Sequence, residues 1–270
     1  MAAAGRFLVV DTEPHAVASD TWELNMKVRI GLLLLAISVL LVSSEAQRKK
    51  PTSSQSGIIR IDFSGERSGR ESTKFLAVVG NWSIVDDSSG KKVIGVDGRS
   101  WLRGQPSGSL AEKARAIYGA RNEEFIDNVK AWAYFPYAVA KDIDDFRDGE
   151  ISVWFKIVAG QLDQCAGILF NLKPNGDYLT VRFNGMEDNV VLWTFNKGVR
   201  KFVKRGSENV PLQKNTWHGL QISVHGTNLQ AALDGKHLLD YTLAEPVSGK
   251  VGLWSKTDSV IYFNDFTVTK

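Results

Sequence analysis

The stretch GILFNLKPNGDYLTVRFN, residues 167–184, decides the fold. Between its two apolar runs, Pro174-Asn175-Gly176 supplies a fixed φ, an amide able to bond nearby backbone, and a residue tolerant of positive φ. Together these make a tight turn. After the turn, Leu179, Val181 and Phe183 alternate with Tyr178, Thr180, Arg182 and Asn184, the period of two that a half-buried strand requires. So short a connection joins antiparallel neighbours, because a parallel return needs a crossover of a dozen or more residues.

The same grammar extends in both directions. Ile151, Val153, Phe155 and Ile157 alternate with Ser152, Trp154 and Lys156. Downstream, the run from Asn189 to Phe195 meets Val199 to Val203 across Asn196-Lys197-Gly198, and His218, Leu220, Ile222 and Val224 alternate with Gly219, Gln221 and Ser223. Asn228 to Leu233 meets Lys236 to Thr242 across Asp234-Gly235, a pair that strongly favours a two-residue hairpin. Lys250 to Ser255 and Val260 to Val268 complete about eight closely spaced strands, which predicts an all-β antiparallel sandwich and not a parallel α/β sheet. Upstream, Ile58 to Phe63, Phe75 to Val79, Trp82 to Val85 and Val93 to Val96 read as further strands. Ser109-Leu110-Ala111-Glu112 matches a capping box, and Phe125, Ile126 and Val129 recur at helical spacing, so a short helical insert is expected over about 109–131, packed across one end of the sandwich.

From Met26 the chain carries Lys27 and Arg29, an apolar run from Ile30 to Val42, and Ser44-Glu45-Ala46 before Gln47. That layout predicts a signal peptide over 26–46 and a secreted or periplasmic mature protein starting near Gln47. The apolar run is too short to span a bilayer, so no membrane span is expected once it is cleaved. Residues 1–25 show no targeting or folding logic and read as an upstream extension. Arg48-Lys49-Lys50 and the polar residues that follow predict a flexible linker over 47–57, ahead of one domain over 58–270.

At 43% hydrophobic residues the chain can bury a full core. Loss of residues 1–46 removes three basic and five acidic side chains and moves the formal charge from +3 to +5, with three of the positive charges in the linker. A nearly neutral domain body argues against a nucleic-acid partner. Cys165 is the one cysteine, so no internal disulfide can form, and its place in an alternating apolar strand predicts a buried, inert thiol.

The succession Phe146-Arg147-Asp148-Gly149-Glu150-Ile151, Ala166-Gly167-Ile168-Leu169-Phe170, Asp177-Tyr178-Leu179-Thr180-Val181-Arg182, Trp217-His218-Gly219-Leu220, Leu233-Asp234-Gly235-Lys236 and Gly249-Lys250-Val251-Gly252-Leu253-Trp254 resembles the concanavalin A-like lectin and glucanase superfamily. Within it, the chain looks like exported bacterial family-16-like or 3-keto-disaccharide hydrolase domains, over roughly 140–270 and more weakly from 58. The resemblance implies a jelly-roll sandwich of concanavalin A-like or laminin G-like type, with one face often curved around a saccharide or glycan. It implies a glycoside-hydrolase-like activity if the protein is an enzyme, and it allows a calcium ion, although no carboxylate-rich calcium loop is present and no cofactor is indicated. The Glu-x-Asp-x-x-Glu strand of family-16 glucanases is absent, since no Glu here has an Asp two positions later.

Candidate site residues follow from chemistry. The row Tyr178, Thr180, Arg182, Asn184 is polar opposite an apolar row, and the chain then turns into Glu187, Asp188 and Asn189. Such a row either lines a wet groove or closes into a hydrogen-bond network. Sugars present flat CH faces and hydroxyl edges, so a saccharide groove pairs an aromatic platform with a few polar groups. Trp154 falls on the polar side of its strand, whereas the phase of Trp193 is ambiguous among Val190, Val191, Leu192 and Phe195. The expected ligand-binding set is therefore Trp154, Arg182, Asn184, Glu187, Asn189 and Trp193, with Glu187, Asp188 and Asp258 as the carboxylates available to catalysis. An acidic residue in a turn is otherwise solvated or bonded to its own backbone. His218, His225 and His237 lack a metal-ligand spacing, and no metal site is expected.

Overall fold

A computed structural model describes residues 57–99, 135–197 and 199–270. The expected upstream extension, signal peptide, most of the linker, and the helical insert over 109–131 lie outside the described residues. The described residues form fifteen strands: β1 Ile58–Ile61, β2 Phe75–Val79, β3 Trp82–Asp86, β4 Lys92–Asp97, β5 Tyr137–Ala140, β6 Gly149–Ala159, β7 Cys165–Leu172, β8 Tyr178–Asn184, β9 Asn189–Asn196, β10 Val199–Arg205, β11 Trp217–His225, β12 Asn228–Leu233, β13 Lys236–Thr242, β14 Lys250–Ser255 and β15 Val260–Thr269.

They pair into two antiparallel sheets. The eight-stranded sheet runs β13-β12-β11-β6-β15-β4-β3, and β1 pairs with β15 beyond the end of β4. The seven-stranded sheet runs β10-β9-β8-β7-β14-β5-β2. Each strand of residues 149–269 was anticipated in the sequence, β6, β8 and β11 from their alternation, and the turns take the conformations their residues favour: Gly176 has φ 84°, and Asp234 and Gly235 have φ 50° and 77°.

Between the sheets lies one continuous core that includes Val153, Phe155, Val181, Phe183, Leu220, Ile222 and Val224, all essentially fully buried. Leu179, expected among them, is half-buried at its margin. A second apolar cluster occupies the outer face of the seven-stranded sheet, where Tyr137, Val139, Cys165, Leu169, Tyr178, Phe195 and Trp254 point away from the first core. Phe135, just before β5, stacks on Trp254 with ring centroids 5.7 Å apart and meets Phe195 edge-on at 5.0 Å, so its side chain belongs to this cluster. Strand β5 went unread in the sequence for a physical reason. All four of its residues are buried, Ala138 and Ala140 in the first core and Tyr137 and Val139 in the second cluster, so it has no polar phase to mark it.

Candidate functional site on the outer face of the seven-stranded sheet

The period of β8 sends Arg182 and Asn184 outward opposite Val181 and Phe183, and the register sets Arg182 between Gly167 of β7 and Val191 of β9. A guanidinium buried on such a face must satisfy its donors within the protein. Arg182, only 4% exposed, does so within one turn of chain. Its Nη1 donates to the Asn189 carbonyl at 3.0 Å and to Asn189 Oδ1, and its Nη2 donates to Glu187 Oε2 at 2.9 Å. Asn189 Nδ2 donates to the same carboxylate oxygen at 3.1 Å. The Glu187 side chain is nonetheless 46% exposed. Partial burial works to raise its pKa, but the Arg182 guanidinium, the Asn189 amide and the Lys256 ammonium outweigh it and hold the carboxyl below its ordinary range.

Asn184 joins a second group at the same end of the sheet. Its Nδ2 donates to Asp163 Oδ1 at 3.2 Å, while Asp163 Oδ2 accepts the Thr257 hydroxyl at 3.0 Å and pairs with Lys256 Nζ at 2.7 Å. Asp163, Lys256 and Thr257 were not anticipated. They reach Asn184 from the β6–β7 and β14–β15 connections, and no local spacing in the sequence could have joined them. On the other side of Arg182, the next outward row carries Thr180, Trp193 and Phe202 across β8, β9 and β10. The Trp193 ring therefore points outward, which resolves its phase. Arg200 lies over that ring with its guanidinium carbon 4.2 Å from the centroid, and Phe202, 58% exposed, meets it edge-on at 5.7 Å. The exposed Phe202 ring, packed on the half-buried Trp193, thus lies on the same face as an anchored carboxylate.

The remaining expected residues stand elsewhere or do other work. Trp154 belongs to β6, on the outer face of the opposite sheet, so it cannot share a ligand ring with Arg182; the expected single site is divided between two faces. Asp258 is 2% exposed, and its carboxylate accepts the main-chain amides of Gln161, Leu162 and Asp163 at 2.7–3.1 Å. It is a structural cap that fixes the loop presenting Asp163, and its place in the Lys256–Ser259 turn gave no sign of that distant partner. Asp188 has φ 51°, and its carbonyl accepts the Val210 amide at 2.7 Å; its role here is in the turn. His218 bonds Asp234 through Nδ1 at 2.7 Å and the Gln213 carbonyl through Nε2 at 3.1 Å, as a paired core residue. Among the described residues no group of three or more His, Cys, Asp or Glu side chains is placed to hold a metal ion.

This arrangement suits binding better than two-carboxylate hydrolysis. That chemistry needs one carboxyl kept protonated and a second ionised across the scissile bond. Glu187 is held ionised, Asp163 is paired with Lys256, and Asp258 is committed to three amides. A cavity of about 830 Å³ opens at the other end of β8, between the sheet edges, where Leu179, Val203, Tyr241 and Leu243 form its walls and Lys197 and Lys201 its rim; it is remote from Glu187.

No protein-family model matches the chain, and no curated protein does. Among solved structures it is similar to the carbohydrate-binding module CBM66 from Bacillus subtilis, with 14% identity, a TM-score of 0.51, and 75% of this chain covering 98% of that one. A Crh5 transglycosylase matches with 13% identity and a TM-score of 0.46 over 79% of this chain and 84% of that one. A Bacillus licheniformis beta-glucanase matches with 15% identity and a TM-score of 0.37 over 50% and 71%. At these identities the likeness is one of fold. The chain carries a two-sheet antiparallel β-sandwich, the fold in which it is similar to that carbohydrate-binding module.

Proposed function

We propose that this is an exported saccharide-binding protein whose contact surface is the outer face of the seven-stranded sheet, from Glu187 to Phe202. One observation carries the reading: a half-exposed carboxylate is locked in direction by a buried arginine and an asparagine amide, in the row beside the Trp193–Phe202 aromatic surface. A fixed carboxylate accepts from sugar hydroxyls, and the aromatic rings take the CH face of the pyranose. Because its donors are already positioned, little ordering accompanies binding. The fold and the signal-peptide layout from Met26 support the same reading.

The test is binding of a panel of neutral and acidic oligosaccharides to wild type, Glu187→Gln and Phe202→Ala. Either substitution should weaken the best ligand about tenfold, the equivalent of ~1.4 kcal/mol; Phe202→Ala should leave the unfolding midpoint unchanged, whereas Glu187→Gln, which removes the counter-charge of buried Arg182, should lower it, so affinity is read well below both midpoints. Equal affinity in all three proteins, or no saccharide bound by wild type, would refute the reading. A second reading, cleavage of 3-keto-glycosides by elimination, needs one base and not a carboxyl pair, and Glu187 is the half-exposed carboxylate on this face open to that role. Product formation from a 3-keto-glycoside that is lost in Glu187→Gln would establish it.

A further inference from the structure

Trp154 is 48% exposed in the middle of a sheet, not at its edge. Strand β6 lies between β11 and β15, and the register places Gly219 on one side of Trp154 and Asn264 on the other. Gly219 has no side chain to cover the indole. A Cβ built there would lie 3.9 Å from two atoms of the Trp154 ring, so the ring rests against the bare backbone of β11. Leaving a large aromatic surface in water on a central strand forgoes roughly 1.5–3 kcal/mol of burial, which a sheet position ordinarily recovers from its neighbours.

Polar groups border that ring on one side. A groove of about 240 Å³ is lined by Trp154, Ser152, Gln221, Gly219 and Asp234. Asp234 is fixed at the β12–β13 hairpin: its Oδ1 accepts the Gly219 amide at 2.7 Å and its Oδ2 meets His218 Nδ1 at 2.7 Å, yet the side chain is 41% exposed. Each carboxylate oxygen has one such partner, which leaves lone pairs on both oxygens facing solvent. Ser152 and Gln221 stand opposite each other in the register, a hydroxyl and an amide able to donate and accept. Among the described residues, Asp234 is the only charged one lining the groove.

We infer that the Trp154 groove is a second saccharide site, taking a single neutral pyranose ring through its CH face and a pair of adjacent hydroxyls. The indole supplies the platform, the two carboxylate oxygens accept from adjacent hydroxyls, and Gln221 and Ser152 bond the ring's edge. A uronate or sulfated sugar is disfavoured, because its charge would face Asp234 with no cation in the groove. The volume lies below the ~300–1,000 Å³ of sites that enclose larger ligands, so one ring and not an extended chain is held. The two sites point outward from opposite sheets that pack ~10 Å apart, so no single ring touches both. Two chains, or two stretches of one flexible polysaccharide, can be held at once, which makes the domain a cross-linker whose avidity exceeds either site's affinity.

The ligand class rests on the saccharide reading above, whereas the location is independent of it. The test is calorimetric titration of the full chain with neutral cellulose-, laminarin- and mannan-derived oligosaccharides and with acidic oligogalacturonides, for wild type, Trp154→Ala, Trp154→Phe and Phe202→Ala. Trp154→Ala should reduce the sites per chain from two to one, or weaken one of them at least about tenfold. Trp154→Phe should retain both sites, Phe202→Ala should spare the Trp154 site, and all four proteins should unfold at the same midpoint. Wild-type binding that is unchanged in affinity and stoichiometry by Trp154→Ala would overturn the second site and leave the first standing. Binding of acidic sugars alone would do the same, whereas no saccharide bound at all would overturn both.

Discussion

Asp258 accepts three main-chain amides from residues 95–97 positions earlier in the chain, and through them it holds Asp163 against Asn184 and Lys256. Asp258→Ala would leave those donors buried without an acceptor, at roughly 1–3 kcal/mol for each that water cannot reach. The expected result is a loss of about 3 kcal/mol in denaturant unfolding, and a loss under ~0.5 kcal/mol would contradict the capping role. Gly160 opens the same loop at φ 145°, where a Cβ would fall 1.9 Å from the Asp163 carbonyl oxygen; Gly160→Ala should therefore be destabilising too. Cys165 faces outward on β7 within the second apolar cluster, and burial pushes its thiol up to about 12. Thiol reagents should leave the native protein unmodified at neutral pH and label it only when denaturant opens the sheet; stoichiometric labelling of native protein would show that face to be open.

At the scale of elements, the most consequential pair on the eight-stranded sheet joins the β3–β4 turn to β6. Lys156 Nζ lies 3.2 Å from Asp87 Oδ2, over the rings of Trp217 from β11 and Tyr262 from β15 at 4.8 and 5.7 Å, and both charged side chains are buried. Burial works to raise the Asp87 pKa. The Ser89 hydroxyl and amide, the Lys91 amide and the Lys156 ammonium more than offset it and hold the carboxyl far below its ordinary 3.8. The folded state therefore takes up this proton less readily than the unfolded chain. The stabilisation is complete above the ordinary value and drains away as pH falls below it toward the depressed folded value. Asp87→Asn strands a buried ammonium and should destabilise the protein by roughly 3–5 kcal/mol at neutral pH. Its deficit should shrink as the pH is lowered below about 3.8, and a deficit constant with pH would contradict the assignment. What the sequence disclosed follows the same logic of faces. Strands β8 and β11 were legible because one side is apolar and the other polar, whereas β5 and the phase of Trp193 were not, because both sides of those strands are buried or apolar. The Arg182–Glu187–Asn189 group was legible because it closes within eight positions of chain. The Asp163–Asn184–Lys256 group was not, because only the folded sheet brings its members together.

For the whole molecule, two sheets present two outer faces that differ in character. The seven-stranded sheet carries a buried aromatic cluster with an anchored carboxylate at one end, and the eight-stranded sheet carries an exposed tryptophan over a glycine. The proposed export is open to test: expression of the full sequence should yield a mature chain beginning near Gln47, and recovery of intact precursor embedded in membrane would contradict it. The central claim is that Glu187 to Phe202 touches sugar. Amide chemical-shift mapping on the isotopically labelled protein, titrated with the best-binding oligosaccharide, tests it most directly. The account predicts saturable shifts concentrated at Glu187, Asn189, Trp193 and Phe202, including the Trp193 indole, whatever occurs at Trp154. Saturable shifts that spare this row and fall instead on the mouth lined by Lys197, Lys201 and Tyr241 would contradict it.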